Sequence, residues 1–232
     1  MDKRELINEA ENAISESSII EFKSMVDWNN EGEFIELIKD IVSMANTDGG
    51  CIIIGLNNDG SINPNYSEAT SKLDQSVIVN KIKKYSNVEF GNIELRKLLR
   101  ERKEVACILV NQASKPIVFE KPGTYPDPKN PIKQKTAFSQ GTLYVRHGSK
   151  SETCNNLDIQ TIIDNQLEKI KDSWLGNIRR VVEAPVGHIV HMLPPDVIMR
   201  DSDDATSIRI TEDSDAPVYR IETPDNLCPF KI

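Results

Sequence analysis

Near its start the chain carries residues of the types that hold hard metal ions: Glu16, Glu21 and the Asn58-Asp59 pair. Clustered carboxylates bind divalent cations such as Mg2+ or Mn2+. A cation held in this way activates water and neutralises the charge that builds on a phosphorane during hydrolysis. The stretch Ile19 to Lys23 alternates, with Ile20 and Phe22 on one face and Glu21 and Lys23 on the other. A strand of this kind lying beside the apolar run Cys51 to Leu56 would bring the glutamates towards the turn that follows that run. The competing reading is solvated charge, because residues 1 to 50 hold 12 Asp and Glu against 4 Lys and Arg. Residue chemistry alone leaves both readings open.

Other chemistries fit less well. Gly49-Gly50 precedes a strand, whereas a phosphate loop needs its glycines after one and a lysine at the start of the next helix. There is no GxGxxG for a dinucleotide. His188 and His191 have half the spacing of a zinc site but no second ligand pair. No serine sits in a nucleophile elbow.

The formal net charge of -8 argues against a polyanionic partner, but it is unevenly spread. Residues 51 to 150 hold 16 Lys and Arg against 9 Asp and Glu, which allows a local basic face or an ordinary solvated one. Cys51, Cys107, Cys154 and Cys228 are widely separated, and the N-terminus lacks the apolar segment of a signal peptide, so a cytoplasmic setting is expected. No apolar run is long enough to cross a bilayer.

The positioning elements follow from periodicity. Helical spacing is expected over Lys3 to Ile14, Glu33 to Ala45, Leu73 to Tyr85 and from Leu157 onward. Strands are expected at Ile19 to Lys23, Cys51 to Leu56, Ile93 to Leu98, Val105 to Val110, Pro116 to Phe119 and Thr142 to Arg146. The proline- and lysine-rich stretch Glu120 to Lys135 reads as a long surface loop that binds something. The expected fold is α/β (α+β), a mixed sheet flanked by helices, over residues 1–172. A small β-rich or irregular appendage follows over 173–232, with strand-like pieces at Ser207 to Ile210 and Val218 to Ile221 and an acidic run from Asp201 to Asp215. The chain's last residues suggest one piece of a longer protein.

Three segments occur together in order: Glu16-Ser17-Ser18-Ile19-Ile20-Glu21-Phe22-Lys23, Met44-Ala45-Asn46-Thr47-Asp48-Gly49-Gly50-Cys51-Ile52-Ile53-Ile54-Gly55 and Leu143-Tyr144-Val145-Arg146-His147-Gly148-Ser149. Together they resemble the Schlafen AlbA domain of prokaryotic type. The resemblance implies nucleic-acid binding through basic residues, with RNA or DNA recognised by shape and backbone, often by a homodimer. Some members are metal-dependent endoribonucleases that cut tRNA-like substrates with two glutamates and an aspartate. Glu16 and Glu21 match the first two, while the third position holds Asn58, with Asp59 next to it. The resemblance and the charge together assign Lys23, Arg146, His147 and Lys150 to backbone phosphate, with Lys133 and Lys135 in the long stretch as further contacts.

The expected function is therefore nucleic-acid binding, with metal-dependent endoribonuclease activity centred on Glu16, Glu21 and Asp59 and a role in defence as the finer expectation the resemblance implies. The alternatives are a non-catalytic DNA- or RNA-binding module of a larger protein and a protein-interaction or dimerisation unit.

Overall fold

The computed structural model describes residues 3–66, 74–182, 189–193, 205–209 and 218–222. The chain forms two compact units, residues 1–159 and 160–232. The first contains α1 (Lys3–Asn12), β1 (Ile20–Lys23), α2 (Glu31–Asn46), β2 (Gly50–Ile54), α3 (Gln75–Ser86), β3 (Ile93–Arg100) and β4 (Lys103–Val110). It continues through β5 (Val118–Phe119), β6 (Gly123–Asp127), β7 (Asn130–Phe138), β8 (Thr142–His147) and β9 (Lys150–Thr153). Helix α4 (Asn156–Val182) begins in the first unit and runs on into the second, which also contains β10 (Ile189–Leu193), β11 (Ala205–Arg209) and β12 (Val218–Glu222). These three strands form an antiparallel sheet in the order β10-β12-β11. The acidic run from Asp201 lies mostly outside the described residues, as do His188 and Cys228. His191 falls on β10.

The main sheet runs β1-β2-β4-β3, with β1 and β2 parallel and the other pairs antiparallel. It is the mixed α/β arrangement expected. Both faces of the sheet are covered, which explains why β2 is continuously apolar. Ile52 and Ile54 face the α2 and α3 side with Ile38, Ile41 and Ile78, while Cys51 and Ile53 face the α1 side with Ala10, Ile20 and Phe22. Period two then decides the fate of β1: if Ile20 and Phe22 point to α1, Glu21 and Lys23 must point to α2.

Helix α2 starts where Asn30 caps it, its side chain accepting from the Gly32 and Glu33 amides and donating to Glu33. It ends at Thr47, and the chain reverses through Gly49 and Gly50, both at positive φ. Either glycine is held tightly: a Cβ on Gly50 would lie 2.5 Å from the Ile19 carbonyl oxygen, the acceptor for the Cys51 amide.

One expectation is corrected. Residues 120–135 are not an irregular loop: β6 and β7 pair as an antiparallel ribbon around Pro128-Lys129. The prolines misdirect a strand reading, but a two-stranded ribbon has outer edges whose amides need no partner, and proline is tolerated there.

Replacing Gly50 with Ala should lower unfolding free energy by about 1–3 kcal/mol through backbone strain. Urea melts will read this, and an unchanged midpoint would show that the β1–β2 junction yields freely.

Candidate functional site

Glu21 leaves the edge of the main sheet towards α2 and enters a nearly closed set of charges. Its Oε1 lies 2.7 Å from Lys23 Nζ and its Oε2 2.8 Å from Arg146 Nη2. The same Lys23 amine is 2.7 Å from Asp40 Oδ2 on α2. Asp40 Oδ1 accepts from Ser151 Oγ at 2.8 Å, and Ser151 Oγ lies 2.6 Å from Ser43 Oγ. Arg146 donates from Nη1 to Ser151 Oγ at 3.3 Å and from Nη2 to the Ser17 carbonyl at 3.1 Å. Arg146's side chain has no exposed surface, and those of Glu21 and Asp40 are 9% exposed. Two carboxylates and the Arg146 guanidinium are thus taken out of water together, beside the half-buried Lys23 amine, as buried charge requires. The Arg146–Glu21 contact lies off the hydrogen-bonding direction, so Glu21 Oε2 and Arg146 Nε make no hydrogen bond and the attraction there is Coulombic.

Burial, and then the charge of Asp40, raise the Glu21 carboxyl above the ordinary glutamate value, against the pull of Lys23 and Arg146. Burial would lower the Lys23 amine, but Asp40 and Glu21 outweigh it and raise it above the ordinary lysine value. Lys23 is accordingly a fixed cation.

The same set explains why the three sequence segments occur together. In the first, Ser17 Oγ accepts from the Ile20 amide at 3.1 Å, and Glu16 Oε1 accepts from the Phe22 amide at 3.1 Å, closing the free edge of β1. In the second, Thr47 Oγ1 accepts the Arg146 amide at 2.9 Å. Asn46, buried, donates to the Ile117 and Tyr144 carbonyls and accepts from the Ile117 amide, tying α2 to β5 and β8. The third segment supplies Arg146 itself.

Against the sequence expectations, the structure gathers Glu21, Lys23 and Arg146 and separates the rest. Lys23, still partly exposed, and Arg146, fully enclosed, spend their charge on Glu21 and Asp40. Glu16 serves the β1 backbone. Asn58 and Asp59 are exposed in the turn after β2, where Asp59 Oδ1 accepts from the Ser61 amide at 3.0 Å and from its hydroxyl at 2.5 Å. The Ser61 contacts lower the Asp59 carboxyl below the ordinary value. Among the described residues, no group of three or more His, Cys, Asp or Glu is placed to hold a metal ion. The carboxylates as arranged do not fit a divalent cation, because Glu21's two oxygens already face cations.

His147, half-buried, stands between two acids: Nδ1 is 3.0 Å from Glu152 Oε2 and Nε2 is 2.9 Å from Asp158 Oδ1. A neutral imidazole can donate only once, so two acceptors select the imidazolium. Its pKa is raised, by Asp158 first and then Glu152. It therefore fastens the β8–β9 hairpin to the start of α4. The hairpin turns through Gly148-Ser149, with Gly148 at φ 57°, and brings out Lys150, which is exposed and forms no ion pair among the described residues.

Lys133 and Lys135 lie on β7, where Asn130 through Thr136 are all exposed. Among the described residues, the ribbon is anchored through Gly123, Tyr125 and Phe138. Phe138 stacks on Phe119 at 3.7 Å, a Cβ on Gly123 would strike the Phe138 ring, and Tyr125 donates to Glu36 Oε1 at 2.8 Å. Burial, and then this bond, push the Tyr125 hydroxyl up to about 12. Lys135 has Asp127 at 3.6 Å, while Lys133 forms no ion pair among the described residues.

Sequence reasoning missed Asp40, Ser43 and Ser151. The available signal was Asp40 itself, a carboxylate inside the apolar run of α2, which is stable only beside a cation.

Residues 16–155 match the Schlafen, AlbA_2 family, and the chain belongs to it. This places it among nucleic-acid-related domains. No curated protein matches the chain. Among solved structures it is similar to the DIP2311 protein from Corynebacterium diphtheriae, at 17% identity and a TM-score of 0.39. That match covers 66% of this chain and only 29% of the other. Among the described residues, no helix is long and apolar enough to cross a membrane.

Changing Arg146 to Met leaves Glu21 short of a cation and should reduce stability by about 3–5 kcal/mol. The double change with Glu21→Gln should recover part of that loss, measurable by a chemical-denaturation cycle. For His147, a folded pKa raised above the unfolded one means that its stabilisation is fully present below about pH 6.5 and is lost as pH rises through the folded value. The gap in melting temperature between the native chain and His147→Gln should shrink from pH 6 towards alkaline pH. A gap that widens instead would refute the clamp.

Proposed function

We propose that the protein binds the phosphate backbone of structured RNA or DNA, with the β6–β7 ribbon and the β8–β9 hairpin as its contact elements. The observation that carries this reading is the exposed face of β7. Tyr125 of β6 holds the ribbon against α2 while β7 stays exposed from Asn130 to Thr136, and an ordered lysine-bearing arm of this kind is suited to lie against a polyanion. Lys133, Lys135 and Lys150 supply the charge. Lys23 and Arg146 act indirectly by holding the strands. Assembly as a homodimer, working in the cytoplasm, belongs to this reading and would present two such arms to one ligand.

Metal-dependent cleavage of tRNA-like RNA, with a role in defence, is the further activity that family membership suggests. It would require Glu21 to leave Lys23 and Arg146 and join Glu16 and Asp59 around Mg2+ or Mn2+. The present arrangement favours the binding module without cleavage.

Fluorescence anisotropy with a labelled RNA hairpin and a DNA duplex tests both. Reversing Lys133, Lys135 and Lys150 to Glu together should weaken binding at least tenfold and reduce the salt slope by about 1 per lysine. No association with either ligand at low ionic strength would end the proposal. Incubating tRNA with Mn2+ in parallel separates the two activities: cutting that disappears in Glu21→Gln would establish the nuclease centre.

A further inference from the structure

Helix α4 carries an apolar stripe that is exposed among the described residues. Ile163 is 52% exposed, Leu167 58% and Ile170 48%, at successive turns of one helix. A 27-residue helix gains most of its stability from packing such a stripe, and a contiguous apolar exposure marks an interface. The sequence of the helix indicates what covers it. At about 100° per residue, Ile163, Leu167, Ile170 and Trp174 fall within an arc of roughly 60°, and Ile159 and Ile178 extend the row at either end.

This row is symmetric about the point between Glu168 and Lys169. Counting outward from that point, Leu167 answers to Ile170, Ile163 to Trp174 and Ile159 to Ile178. The charges are antisymmetric about the same point. Residues 156–168 contain Asp158, Asp164 and Glu168 and no Lys or Arg, whereas residues 169–182 contain Lys169, Lys171, Arg179 and Arg180 against Asp172 alone. A helix that reads alike in apolar residues from both ends, but opposite in charge, is complementary to a reversed copy of itself. Set parallel, two copies would oppose acid to acid and base to base; set antiparallel, each acidic half meets a basic half.

We propose that two copies of the chain pair antiparallel through α4, about a two-fold axis passing between Glu168 and Lys169. The contact is isologous, so every pair occurs twice. Leu167 of one copy packs on Ile170 of the other. Asp164 and Lys171 lie on the same flank of the stripe, one heptad apart, and in the reversed pair Asp164 faces Lys171 of the second copy. The homodimer itself belongs to the reading above; the surface, its polarity and its axis are what the helix adds.

The test is the mass of the full chain by sedimentation velocity across a dilution series, without nucleic acid, so that its outcome is independent of whether RNA or DNA binds. The native chain should be a dimer that dissociates on dilution. Leu167→Asp should make it monomeric while leaving the far-ultraviolet circular dichroism unchanged. Asp164→Lys should weaken dimerisation by about tenfold or more at low salt, since it sets like charges together twice, and the exchange Asp164→Lys with Lys171→Asp should restore it. That restoration cannot arise from a folding defect. A native chain that stays monomeric at about 100 μM, or a dimer indifferent to Leu167→Asp and to the exchange, would overturn the proposal. The indifferent dimer would keep the homodimer and move its surface elsewhere.

Discussion

The burial of Glu21, Lys23, Asp40 and Arg146 as one set constrains the rest of the first unit. Each of these charges is tolerable only because the others are present, and together they come from three separate parts of the chain: β1, α2 and β8. Such a network adds little over an apolar packing of the same volume, but it penalises any arrangement that leaves one member alone. A one-residue slip of β1 against β2 would turn Glu21 and Lys23 towards Ala10 and Phe22's apolar layer and point Ile20 at Asp40. The register Glu21↔Ile52 is therefore selected by electrostatics and by the hydrophobic pattern at once. Ser151 and Asn46 extend this selection to β9 and β5, which is how the site region and the fold come to share residues.

Legibility in the sequence followed from whether a residue's partner was near it in the chain. The face assignment of β1, the buried character of β2 and the turn at Asn46 to Gly50 are local matters of period and glycine, and the structure has them as expected. Glu21 beside Lys23 was likewise readable from period two. Arg146 was not: beside a Gly148-Ser149 turn it looks like a phosphate ligand, and only the passage of β8 past Ser17 and Glu21, residues 129 and 125 positions away, turns it inward. The ribbon was hidden for a different reason. Pro126 and Pro131 lower strand propensity in any local window, yet on an unpaired edge the missing amide has no acceptor to disappoint.

The family segments read differently once these contacts are known. Glu16, Ser17, Asn46, Thr47 and Arg146 each satisfy a backbone group that the fold would otherwise strand. A buried or edge amide without a partner is costly, so polar side chains at such points are retained for architecture whatever the ligand. On the proposed reading, motif residues and contact residues are separate sets, and a cation's place in a motif does not make it a phosphate ligand.

That separation also resolves the conflict between a net charge of -8 and a polyanionic partner. Much of the acid is already matched within the chain: Glu21 and Asp40 by Lys23 and Arg146, Asp158 and Glu152 by His147, Glu94 by Lys3 and Arg96. Exposed charges farther away than about 8–10 Å are screened at physiological salt, so on the proposed reading a phosphate at the ribbon would respond to Lys133 and Lys135 and little to distant acids. Net charge governs the approach of the ligand from afar, slowing it, while the local excess of lysine governs the bound state. An acidic chain with a basic arm should therefore bind nucleic acid with a modest association rate and a steep dependence on salt, a combination that a uniformly basic protein does not show.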